Sequence, residues 1–97
     1  MPRGMYDQTY RIDGTTQSVS YDASTATSNA VGAQTYAVRV AVTTDCHVAF
    51  GAAPTATTSN PFMPAGSVEY FRVTPGQKLA FIKNSAAGSA YVTECTR

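Results

Sequence analysis

The sequence predicts an all-β protein, a single small antiparallel β-sandwich or jelly-roll-like barrel of about 6–8 short strands. The composition favours strands, because valine, six tyrosines and four phenylalanines supply most of the apolar bulk and Leu79 is the only leucine. Apolar residues also alternate with period two, and turn residues recur about every ten residues. Charged residues make up 13% of the chain and show no helical spacing, so we expect little or no helix.

The length of 97 residues fits one domain. We predict a β-sandwich core over residues 31–97 and an N-terminal arm with weakly patterned strands over residues 1–30. In the arm, residues 9–12 and 17–21 alternate around the turn signal of Asp13 and Gly14, and both are predicted strands. Residues 22–34 are small, polar and unpatterned, which predicts a loop.

The clearest strand covers residues 35–43, where apolar residues alternate with smaller or charged ones. Residues 46–50 continue the alternation after a short turn at Thr44 and Asp45, so these two segments are predicted to form a hairpin. Residues 51–66 contain three prolines and two glycines, which predicts a long loop, because proline cannot donate a ladder hydrogen bond.

The TPGQ sequence at residues 74–77 predicts a type II turn, since proline sets the second position and glycine supplies a positive φ at the third. The flanking segments 68–73 and 78–83 are therefore predicted to pair antiparallel. A last strand is predicted over residues 89–95.

Two predicted strands are apolar on both faces. In the segment 68–73, Val68 and Tyr70 lie on the face opposite Phe71. In the segment 78–83, Ala80 and Ile82 lie on the face opposite the larger apolar residues. A two-layer sandwich covers only one face of each sheet. The second face is either covered by another subunit or left half exposed, and both interpretations remain open at this point.

Charge and hydropathy exclude several classes of partner. The net charge is +1 and the basic residues are scattered, so we expect no nucleic acid partner. No segment approaches the ~20 apolar residues that cross a bilayer, so we expect no membrane partner. The first ten residues lack the apolar core of a secretory signal, so we expect synthesis in a cytoplasm and export only within a particle.

Candidate chemical groups are few. Cys46 and Cys95 are expected to be free and buried, since two cysteines without a secretory signal seldom form a disulfide. His47 is predicted to be an exposed strand residue that cannot pair with Cys46, because neighbours on a strand point to opposite faces. We therefore expect no metal and no cofactor.

Glu69 and Glu94 could form the carboxylate pair of a small hydrolase if the fold brought them together in a cleft. The commoner explanation is surface ion pairing with Arg39, Arg72 or Lys78. We predict that the protein is not an enzyme.

The order of motifs from Ser28 onward carries a resemblance to a known family. The motifs are a segment of small residues, a valine strand that carries an arginine at 38–40, CHVAFG at 46–51 and PTA at 54–56. After these come PAG at 64–66 before the aromatic pair at 70–71, the Pro-Gly turn at 75–76, and VTE at 92–94. This pattern resembles small tailed-phage capsid decoration (cement) proteins, over about two-thirds of the chain.

The resemblance implies a non-enzymatic virion structural protein that binds the outer surface of an assembled phage capsid and stabilises it by bridging major capsid subunits. It implies synthesis in the host cytoplasm, a final location on the capsid exterior, and contacts with the major capsid protein and with its own copies as a homo-oligomer. The alternative is a tail or head-fibre component that binds a host surface or receptor.

We predict the partner interface in the N-terminal arm and in the proline-rich loop, because Phe62 and Met63 are large apolar groups in a polar segment. The alternative is that both fold back and plug one end of the sandwich. The predicted interface residues are Met1, Pro2, Arg3, Met5, Tyr6, Tyr10, Pro54, Thr55, Asn60, Pro61, Phe62 and Met63.

Overall fold

The computed structural model describes residues 11–96, except for the side chains of Asp13, Thr15 and Thr96, and this part of the chain is all-β without a helix. Its connections are short turns and loops. The eight strands are β1 Arg11–Tyr21, β2 Ala26–Thr27, β3 Ala37–Val42, β4 Cys46–Gly51, β5 Phe62–Met63, β6 Val68–Arg72, β7 Lys78–Lys83 and β8 Gly88–Thr96.

The strands form two four-stranded antiparallel sheets that pack as a sandwich. The first sheet has the order β1-β8-β3-β6 and the second has the order β2-β7-β4-β5. The pairs β1–β8, β2–β7, β3–β6 and β4–β5 are nested, as if one long hairpin were rolled over itself. This order is that of a jelly roll. The predicted antiparallel sandwich is confirmed, and the sheets do not close into a barrel.

The core lies between the sheets and is built by the period-two pattern of the valine-rich strands. Val38 and Val40 enter it from the first sheet, and Val48 and Phe81 enter it from the second, all fully buried. The ring of Tyr21 stacks on Phe81 at 6.2 Å, and its hydroxyl donates to the backbone carbonyl of Thr44 at 2.7 Å.

The two hairpins predicted from the sequence are wrong. β3 pairs with β6 and β8, whereas β4 pairs with β5 and β7, so the segments 35–43 and 46–50 belong to different sheets. Segments 68–73 and 78–83 are likewise split between the sheets. Both short connections cross from one layer to the other, which lets consecutive strands bury their apolar faces against each other across the core.

The turn chemistry at residues 74–77 is confirmed even though the strands it joins do not pair. Gly76 has a φ of 85°, and the amide of Gln77 donates to the carbonyl of Thr74 at 3.0 Å. In contrast, Asp13 and Gly14 form no turn. β1 runs through them as one strand with a bulge between Ile12 and Thr16, because β8 pairs with β1 on both sides of that point.

Candidate functional site

The outward surface of the first sheet is the most distinctive surface of the described chain, and we call it the open face. Because Val38 and Val40 point into the core, the alternate residues of β3 point outward. The strand register aligns three rows across β1, β8, β3 and β6: Ile12–Cys95–Ala37–Arg72, Thr16–Thr93–Arg39–Tyr70 and Ser18–Tyr91–Ala41–Val68.

The open face carries large apolar side chains that water still reaches. Ile12 is 60% exposed, Tyr70 49%, Val68 44% and Tyr91 42%, and these are four of the six large hydrophobic residues exposed among the described residues. Single exposed hydrophobic residues are ordinary, but several of them on the same sheet face are typical of a protein interaction surface. On β6, the second apolar face predicted from the sequence is therefore left exposed.

The charged side chains described on the open face are all positive. Arg39 lies half-buried at its centre and Arg72 lies exposed at the β6 edge, whereas Glu69 and Glu94 occupy alternate positions that point away from this face. The described side chains of the open face therefore include two cations and no carboxylate. A partner surface with carboxylates among apolar residues would complement it.

The two thiols lie in separate layers. Cys46 points into the core from the second sheet, whereas Cys95 lies on the open face of the first sheet, buried beside Ala37. Both are free, which confirms the expectation that they form no disulfide. Burial raises the pKa of both thiols above the ordinary value of 9.0, and the neighbouring Arg39 partly offsets this for Cys95.

The raised thiol pKa values make stability fall at alkaline pH. Below pH 9.0 both states keep the protons, whereas above it the unfolded chain releases thiol protons that the folded chain retains. We expect the free energy of unfolding, measured by urea titration, to decrease as the pH rises from 9.0 through the raised pKa values of the folded thiols. Cys46→Ala with Cys95→Ala should flatten that decrease, and an unchanged slope would contradict the assignment.

The outward surface of the second sheet is partly covered by the chain itself. The loop of residues 52–61 starts from β4, and the amide of its buried Ala56 donates to Thr25 Oγ1 at 2.9 Å, next to β2. Since β5 lies at the opposite edge of this sheet, the loop crosses the sheet before it returns. The outward-facing Ala80 of β7 is accordingly fully buried.

His47 fixes this loop to the sheet. Its Nδ1 donates to the backbone carbonyl of Asn60 at 2.9 Å, and its Nε2 lies 3.1 Å from the side-chain oxygen of Asn84. The ring centroid of Phe62 is 5.5 Å away. The prediction that His47 is exposed is wrong, because the loop folds over it. The prediction that the side chains of His47 and Cys46 point to opposite faces of the strand is confirmed.

We expect His47→Ala to lower the free energy of unfolding by about 1–3 kcal/mol, because the buried ring loses its hydrogen-bond contacts with two polar groups. Amide exchange of Ala56 in the loop should accelerate. Asn84→Ala removes only the Nε2 partner and serves as the milder control. Equal stability of His47→Ala and the unmodified protein would show that the ring does not hold the loop.

The predicted interface residues separate into three groups. Met63 faces Cys46 across the β4–β5 pair and is 2% exposed, so its prediction as an exposed anchor is wrong, because it occupies an inward strand position. Phe62 is exposed at the adjacent outward position. Pro54, Thr55, Asn60 and Pro61 lie in the loop on the second sheet, on the opposite side of the sandwich from the open face. Outside the described residues are Met1, Pro2, Arg3, Met5, Tyr6 and Tyr10.

The fold does not bring Glu69 and Glu94 into one cleft. They lie on β6 and β8, with β3 between them, which sets their strands about 10 Å apart. Glu94 accepts a hydrogen bond from Thr35 Oγ1 at 2.5 Å, while Glu69 is exposed at the sheet edge. The expected pairing with Arg39, Arg72 or Lys78 is also wrong. The ion pair found within residues 11–96 joins Lys83 to Asp22 at 2.9 Å.

Comparisons of the chain with family models, curated proteins and solved structures give no match. Over the described residues there is no cluster of three or more potential metal ligands among His, Cys, Asp and Glu. The same part of the chain holds no helix with the length and hydropathy needed to span a membrane.

Sequence reasoning found half of the open face and missed the rest. Val68 and Tyr70 were visible as a second apolar face on one strand. Tyr91 alternates with buried neighbours in the same way, so its outward position could have been predicted from period two. Ile12 and Arg39 belong to the open face only because β8 pairs with both β1 and β3, and no local sequence pattern predicts that pairing.

Proposed function

We propose that this chain is a non-enzymatic structural protein of a phage virion. It binds the outer surface of the assembled capsid through the open face and stabilises the shell by bridging major capsid subunits. The observation that carries the proposal is that four of the exposed large apolar side chains lie on one sheet face, while the other sheet is partly covered by its own loop.

The choice of a capsid as the partner is supported by the motif order from Ser28 to Glu94, which resembles that of tailed-phage decoration proteins. A jelly-roll sandwich is also an architecture that viral capsid and other binding domains use. The same architecture serves many functions, so it supports the proposal only together with the surface.

Binding alone is sufficient for this role. A protein that binds the expanded shell better than its precursor stabilises the expanded shell by mass action, without turnover. Neighbouring copies on adjacent subunits would extend the effect over the whole particle. Because Arg39 and Arg72 are the charged side chains among the described residues of the open face, the capsid patch it meets should contain carboxylates beside apolar residues.

Co-sedimentation with purified particles that lack this protein tests the proposal. We expect saturable binding to expanded capsids, weak binding to unexpanded precursors, and a copy number comparable to that of the major capsid protein. Binding should weaken moderately with added salt, because the apolar contacts are insensitive to screening while the arginine contacts are not. A handful of copies per particle would instead favour a tail or head-fibre component, and no binding would reject the proposal.

A further inference from the structure

A groove opens at one end of the sandwich, where the start of β3 meets the turn between β6 and β7. Its volume is about 550 Å³, within the range of small-molecule sites. Tyr36 and Phe50 line one part of it, and Arg72, Pro75 and Gln77 line another.

The walls of the groove are fixed by hydrogen bonds of the protein itself. The Gln77 amide donates to the Thr74 carbonyl at 3.0 Å, and the Thr74 amide donates to Gln77 Oε1 at 2.9 Å, so the turn is closed twice. The amide of Val73 donates to the carbonyl of Tyr36 at 2.9 Å, which ties the two sides together. A site held in this way loses little conformational entropy when a ligand binds.

Most of the groove surface is apolar or aromatic. Tyr36 is exposed, and Phe50 is half-buried with its ring 5.0 Å from that of Phe71, at 60° to it. Pro75 adds a rigid apolar wall from the turn. These groups can pack against an aromatic or branched apolar group of a ligand.

The charge in the groove has one sign. Arg72 is the charged residue among those lining the groove, its guanidinium forms no ion pair within residues 11–96, and no carboxylate lines the site. A guanidinium presents its N–H donors in a planar fork that matches the two oxygens of a carboxylate. The groove therefore complements a ligand that carries a carboxylate next to an apolar group.

We propose that this groove binds a small carboxylic acid with an aromatic or branched apolar substituent, with Arg72 on the carboxylate and Tyr36 and Phe50 around the substituent. A free acid and the C-terminal residue of a peptide share this chemistry. The groove shares Arg72 with the open face, but its other lining residues lie outside the rows of that face, and the test of acid binding needs no particle.

The test is an NMR titration of the full chain with N-acetylphenylalanine and, separately, with its primary amide. We expect saturable shifts of the Val73, Gly76 and Gln77 amides with the acid at millimolar concentrations, and much weaker shifts with the amide. A short peptide ending in phenylalanine distinguishes the two sources: tighter binding than the acetylated amino acid favours a peptide terminus, and equal binding favours a free acid.

Matched variants assign the roles. Arg72→Gln should weaken binding of the acid about tenfold, because it removes a charge-assisted contact, and Tyr36→Ala should weaken acid and amide alike. Arg39→Gln removes a cation of the same sheet that does not line the groove and should leave affinity unchanged. Absent or non-saturable shifts, or equal binding of acid and amide, would overturn the proposal.

Discussion

Replacing Tyr91 with lysine is expected to reduce capsid binding about 100-fold while leaving the fold intact. Tyr91 lies on β8 within the open face and is partly exposed, so the lysine can reach water without disturbing the core. On the bound particle, however, it would add a second cation near Arg39, where the two like charges repel each other and compete for the same capsid carboxylates. Loss of a central aromatic anchor and burial of an unpaired charge both weaken an interface strongly.

The measurement is the dissociation constant for expanded capsids by quantitative co-sedimentation. Thr27→Lys is the matched control, because Thr27 is also exposed and outward-facing but lies on β2 of the other sheet. The control should bind like the unmodified protein. Equal losses for both variants would point to a general charge effect, and unaltered binding of Tyr91→Lys would remove the open face from the capsid contact.

Phe81→Ala is expected to lower the free energy of unfolding by about 3–5 kcal/mol. The ring is fully buried in the second sheet, between Ala26 of β2 and Val48 of β4, and it stacks on Tyr21 from the first sheet. Its removal leaves a cavity at the centre of the contact between the sheets. This is a large part of the 5–15 kcal/mol that stabilises a typical domain.

Urea unfolding followed by circular dichroism gives this quantity directly. Phe62→Ala is the control, since Phe62 faces outward on β5 and is about half exposed, and its loss should cost about 1 kcal/mol or less. If Phe81→Ala and Phe62→Ala lowered the free energy of unfolding by the same amount, Phe81 would not occupy the centre of the core.

The sequence predicted the positions of β3, β4, β6, β7 and β8, whereas β2 and β5 lie within segments predicted to be loops. Most of the strand pairing could not be predicted. Alternation of Val38, Val40 and Val42 shows which face of β3 is buried, yet it does not show which sheet contains β3. A Pro-Gly type II turn such as that at residues 74–77 occurs in hairpins and in crossings between sheets, although tight hairpins favour type I′ and II′ turns. The choice depends on long-range packing of the whole jelly roll.

The site shows the same division between local and long-range information. Period two correctly directs Cys46 inward and His47 outward, but the burial of His47 depends on Asn60 in the distant loop. Met63 follows the alternation set by its pairing with Cys46, which could not be seen before β5 was located within a predicted loop. Long-range contacts therefore decide which apolar residues remain available to a partner.

Hydroxyl-radical footprinting of the free and capsid-bound protein tests the central claim most directly. Side chains that lose water contact on the particle lose reactivity towards the radical, and Tyr91, Ile12 and Phe62 are all exposed in the described chain. We expect strong protection of Tyr91 and Ile12 on the particle and unchanged oxidation of Phe62 on the opposite side of the sandwich. Protection of Phe62 with unchanged oxidation of Tyr91 and Ile12 would contradict docking through the open face and assign the contact to the loop on the second sheet.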